Sequence, residues 1–112
     1  MAYDLDTADR IRALIGPRQD LREKRMFGGL AFLVSGNLAV GLMGTVEGLI
    51  VRVDPAEQPR LRGLQGVGPF LMREREATGW VVVDLTRVRA TRDLARWVAR
   101  GLATADALPP KP

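Results

Sequence analysis

Cysteine and histidine are both absent from the 112 residues. Their absence excludes disulfides, thiol chemistry, zinc sites built on Cys or His, Cys–His and Ser–His nucleophile pairs, and imidazole acid–base work. Aromatic residues are scarce, at 5%, so a stacking platform for single-stranded nucleic acid is not indicated. Lysine is nearly missing: of 17 basic residues, all but Lys24 and Lys111 are Arg. No apolar stretch, Leu38 to Met43 among them, approaches the ~20 residues of a membrane span. The acidic start, Met1-Ala-Tyr-Asp-Leu-Asp6, lacks both the basic and the apolar regions of a secretory leader. A cytoplasmic protein with no membrane contact, no metal and no organic cofactor is expected.

What is present describes a globular chain, with 46% hydrophobic and 27% charged residues. This length suits one domain, read as residues 1–108 with a frayed Pro-rich tail at 109–112. The formal charge of +4 is compatible with a polyanionic partner, or with no more than a coding preference for Arg over Lys.

Leu5, Ala8, Ile11, Leu14 and Ile15 recur at helical spacing until Gly16-Pro17 stops the pattern, and Asp4 or Asp6 can cap its start. From Leu21 to Val53 the period switches to two, giving strands near 21–27, 30–34, 38–43 and 49–53. Gly36-Asn37 reads as a two-residue hairpin turn, and Gly44 to Gly48 as the next turn. A short helix between Pro55 and Leu64, a short strand at Phe70–Met72 and a strand at Trp80–Asp84 follow. Thr91 is placed as the cap of a last helix whose buried stripe is Leu94, Trp97, Val98, Gly101, Leu102 and Ala105.

This order predicts an α+β two-layer sandwich, helices on an antiparallel sheet. One face should carry Leu30, Phe32, Val34, Leu38, Val40, Leu42, Leu49, Val51 and Val53. The other, with Ala31, Leu33, Ala39, Met43, Ile50, Val81 and Val83, is apolar as well. A bare face should alternate with polar residues, so either the helices cover more than expected or a second copy does. A homodimer is the expectation.

Chemistry-bearing clusters are few. Met26-Phe-Gly-Gly29 is followed by no Lys-Ser or Lys-Thr and continues as a strand, so the paired glycines mark a bulge or a close backbone approach rather than a phosphate loop. Glu74 and Glu76 interleave with Arg73 and Arg75, the pattern of a solvated charged loop, not of an acid/base pair. Arg92, Arg96 and Arg100 recur at i, i+4 and i+8 opposite the Leu94 stripe, with Asp93 placed to offset Arg96. Arg22, Lys24 and Arg25 cluster on the first strand. Both sets read either as plain solvated faces or as candidate contacts for an acidic partner or for phosphates, with weak, non-specific DNA contact at most.

Arg25-Met-Phe-Gly-Gly-Leu-Ala-Phe32, then Ser35-Gly-Asn-Leu38, Gly41, Leu49-Ile-Val-Arg-Val-Asp54, Gly79-Trp-Val-Val-Val-Asp84 and Trp97 resemble the N-terminal domain of the TfoX/Sxy family over almost the whole chain. The resemblance implies an α+β sandwich similar to secretion-chaperone-like folds. It supplies no established catalytic residues: Met26, Phe27, Gly28, Gly29, Phe32, Gly36, Gly41, Gly79 and Trp80 look like fold markers. Named members act as co-activators of natural competence beside a DNA-bound transcription factor. They typically carry a second, helical C-terminal domain that this sequence lacks, so a stand-alone domain is expected. The expectation is a non-enzymatic regulatory or adaptor domain that meets an unidentified protein partner. The alternative is a small-molecule-binding domain or cryptic enzyme using the glycine-rich loops.

Overall fold

The computed structural model describes residues 3–26, 28–44 and 48–111. Helix α1 spans Leu5–Ile15, and the Asp4 carboxylate caps it by accepting from the backbone N–H groups of Asp6 and Thr7. Its buried side is Thr7, Ala8 and Ile11. Leu5, expected in that stripe, is 48% exposed.

Four strands follow: β1 (Leu21–Met26), β2 (Gly29–Val34), β3 (Asn37–Leu42) and β4 (Gly48–Arg52). A short helix α2 (Gln58–Arg62) leads to the hairpin of β5 (Val67–Met72) and β6 (Arg75–Asp84). A single 3-10 turn at Leu85–Val88 and helix α3 (Thr91–Asp106) end the chain's regular structure. The six strands form one antiparallel sheet in the order β1-β2-β3-β4-β6-β5. The α+β sandwich read from the sequence is therefore the observed fold.

All three helices lie on one face. Ala8 and Ile11 from α1, Leu61 from α2, and Leu94 and Val98 from α3 pack with Phe32, Val40, Leu49, Val51, Val81 and Val83 in one buried cluster. Each enclosed large aliphatic side chain contributes roughly 1.5–3 kcal/mol of transfer free energy. Helix α3 approaches the sheet closely at Gly101, where a Cβ would stand 2.5 Å from the Ala39 carbonyl oxygen and 2.7 Å from a Val40 methyl.

Several local expectations are corrected. The β2–β3 turn is Ser35-Gly36, with φ of +48° and +83°; Asn37 is already in β3 and buried, opposite Val34. Phe32 and Leu33 face Val40 and Leu38, so Ala39 is an extra residue on β3, a bulge. The bulge turns Leu38 away from the helices and puts Ala39 beneath them, against Ala105. Val81 and Val83 stand opposite Val51 and Leu49 and share their helix-covered face. The charged stretch at 73–76 is no loop: Arg73-Glu74 is a two-residue turn, both residues at positive φ, and Glu76 lies within β6. Thr91 is the first helical residue of α3, with Ala90 as an N-cap that makes no side-chain bond. Trp97 is half-buried at the rim of the core, not enclosed. The tail expected to fray makes two bonds: the Asn37 side-chain amide donates to the Pro109 carbonyl, and the Lys111 N–H to the Ser35 carbonyl. The turn read at Gly44–Gly48 lies mostly outside the described residues, as does Phe27.

Candidate functional site

The sheet face away from the helices, here the open face, is concave. It holds a groove of about 350 Å³ to which Met26 from edge strand β1 and Met72 from edge strand β5 both contribute. Its floor is Leu33, Leu38, Ile50 and Phe70. Phe70 meets the Trp80 ring edge-on, with centroids 6.3 Å apart. One end is closed by Gly36 and Lys111, brought together by the bonded tail.

Of the two cations lining the groove, Arg52 and Lys111, Arg52 sits among the apolar walls. Arg52 is opposite Trp80 across the β4–β6 pair, and its guanidinium stacks 4.0 Å from the centroid of the indole. Its Nε donates to the Leu38 carbonyl at 2.7 Å. Withdrawal from solvent pulls the Arg52 pKa below its ordinary value. Arg52 has no carboxylate partner among the described residues. Other arginines do: Arg18, 26% exposed, bridges Asp20 and Asp106, and Arg100, 33% exposed, pairs with Glu57.

The predicted site residues are not gathered into one patch. Arg92 and Arg96 lie on the outer side of α3, exposed, with no bond or ion pair among the described residues, and Asp93 does not pair with Arg96. Arg100 leaves the row by turning to Glu57 at 2.9 Å, its guanidinium 5.7 Å from the Trp97 ring. On β1, Arg22 and Lys24 are opposite Leu33 and Ala31 and so belong to the open-face side, whereas Arg25 is opposite Leu30 on the helix side. Arg22 donates to the carbonyls of Gln19 and Leu21.

The paired glycines have a packing role. A Cβ on Gly29 would fall 1.7 Å from the Leu42 carbonyl oxygen, so backbone approach alone demands glycine there. A second cavity, about 270 Å³, lies between α2 and β6. Its buried Gln58 bonds to Glu76, to the Ala77 carbonyl and to the Gly79 N–H, and Glu76 also pairs with Arg62. That network ties α2 to the sheet and is internally satisfied.

Sequence reasoning missed Arg52. The available signal was a lone charge inside the apolar strand Leu49-Ile-Val-Arg-Val53, two residues from Ile50 and so on the same face.

Among the described residues no helix is long and apolar enough to cross a membrane. Comparison with known families finds a match to the TfoX N-terminal domain over residues 13–105. No curated protein and no solved structure matches the chain.

Proposed function

The chain belongs to the TfoX N-terminal domain family, and from that premise we infer that it is a non-enzymatic regulatory or adaptor domain working through protein contacts, in the manner of a transcriptional co-regulator of competence. The observation that carries this reading is the outer side of α3. Its opposite side is locked into the core by Leu94, Val98, Gly101 and Ala105, while Arg92 and Arg96 stand exposed with their charge uncompensated. A rigid helix offering two unneutralised guanidinium groups suits an acidic protein surface, with planar bidentate contacts available to carboxylates. Phosphates would be met only as backbone charge, so DNA contact by this chain is weak, salt-sensitive and indifferent to sequence.

The test is capture of partners from the native cell with the tagged chain and with an Arg92→Glu/Arg96→Glu variant. The wild type should retain a protein that the double variant loses, with both melting alike. Retention by both, or tight sequence-selective DNA binding by the chain alone near physiological salt, contradicts the reading.

Self-association is a second element of the proposal, and the two sheet edges favour β5 for it. On edge strand β1 the run Arg22-Glu-Lys-Arg25 is exposed, which discourages pairing. Edge strand β5 exposes Leu71 at 59%. Light scattering should find a dimer that Leu71→Lys dissociates; a strict monomer at high micromolar concentration removes this element.

A further inference from the structure

We propose that the open-face groove is a binding site for a small apolar monocarboxylate, its hydrocarbon on Leu33, Ile50 and Phe70 and its carboxylate on the terminal nitrogens of Arg52. The argument begins with charge. Among the described residues, Arg52 and Lys111 are the only ionisable ones lining the groove, and both are cationic. Arg52 is held in place by the Leu38 carbonyl and the Trp80 ring, which uses Nε and one face of the guanidinium and leaves both Nη groups without an acceptor among the described residues. A guanidinium fixed in this way presents a planar fork that matches a carboxylate.

Desolvation reinforces the geometry. Arg52 has lost part of its water without gaining the carboxylate that Arg18 and Arg100 have, so an incoming anion restores what burial removed. The walls fix the rest of the ligand. Leucine, isoleucine and phenylalanine offer no bonding partners, and Met26 and Met72 at the two rims can adapt to the body of the ligand. The volume of about 350 Å³ lies at the small end of the roughly 300–1,000 Å³ usual for small-molecule sites. A free small carboxylate fits those dimensions better than a folded partner. The site is on the opposite side of the sheet from α3, so it stands or falls independently of the Arg92/Arg96 reading.

Trp80 is a built-in reporter, since the chain has two tryptophans and Trp97→Phe leaves Trp80 alone. Octanoate and decanoate titrated into that full-length variant should change its emission saturably. Decanol, the neutral counterpart, should bind roughly tenfold or more weakly, the usual worth of a charge-assisted hydrogen bond. Arg52→Met should erase the preference for decanoate over decanol, and Arg52→Lys should restore part of it. Equal affinity for acid and alcohol, no saturable change with any of them, or a preference that survives Arg52→Met overturns the proposal. If Arg52→Met does not fold, the ratio of decanoate to decanol affinity on the Trp97→Phe chain decides alone. A dimer in light scattering that survives Leu71→Lys and that decanoate neither enters nor dissociates assigns the face to a second copy and overturns it as well.

Discussion

On the helix-covered face of the sheet, Phe32, Val40, Leu49, Val51, Val81 and Val83 are fully enclosed in one apolar cluster. On the open face, Ile50 and Phe70 are nearly as withdrawn, but they share their surroundings with two methionines, an indole and an arginine. β-Branched and aliphatic residues with few rotamers suit a core that must have one arrangement. Methionine and a stacked arginine suit a surface that accepts something else. The same backbone thus has one side suited to folding and another whose side chains suit recognition, and mutational costs should divide accordingly.

The largest effect is expected on the covered side. Phe32→Ala should lower stability by about 3–5 kcal/mol, measured by urea unfolding. Met72→Ser, on the rim of the open face and 49% exposed, should stay within about 0.5 kcal/mol. Similar costs at the two positions would dissolve the distinction between the faces.

Next comes the contact between α3 and the bulge. Ala is the better helix former by about 1 kcal/mol, yet Gly101→Ala should destabilise by roughly 1–3 kcal/mol, because the new methyl meets the backbone of Ala39 as well as a buried Val40 methyl. A thermal melt that rises would show that α3 can lift off the sheet without cost.

A gain is expected at the β5–β6 turn. Arg73 and Glu74 are held at φ of +51° and +67°, a region that costs L-residues roughly 1–2 kcal/mol. Glu74→Gly should recover about 1 kcal/mol and leave the carboxylate selectivity of the groove unchanged.

The smallest effect is electrostatic. The Arg12 guanidinium bonds the Glu23 carboxylate through two nitrogens and holds its pKa below the ordinary 4.5. Because the folded-state value is the lower one, the stabilisation is full above that ordinary value and disappears as pH falls through the depressed one. Arg12→Gln should therefore cost about a few tenths of a kcal/mol near neutrality, the scale of screened surface pairs, and nothing in strong acid. A cost that persists at low pH would assign it to packing of the Arg12 stem.

How much of this was legible in the sequence depended on where the information resides. Strands β1 to β4 follow from alternation, and α3 from its apolar stripe, because these patterns are local. The β5–β6 hairpin was hidden because Arg73-Glu74 lacks the Gly or Asn that marks a primed turn. Facing was misread at Leu38 and Ala39 because one inserted residue reverses a period of two, and nothing in Leu38-Ala-Val40 announces a bulge. The Arg92 and Arg96 positions were readable from helical spacing, whereas Arg100's turn to Glu57 depended on where α2 lands. The groove was invisible for a different reason. It exists only when the sheet curls far enough for Met26 and Met72, on opposite edge strands, to border one cavity, and curl is a property of the whole sheet.

The division of labour between the faces is tested most directly by methyl-resolved NMR of the chain titrated with decanoate. Shifts should concentrate at the methyls of Leu33, Leu38, Ile50 and Met72, with those of Val51, Val81 and Leu94 left in place. Shifts centred on the helix-covered methyls, or none on the open face at saturating decanoate, would contradict it.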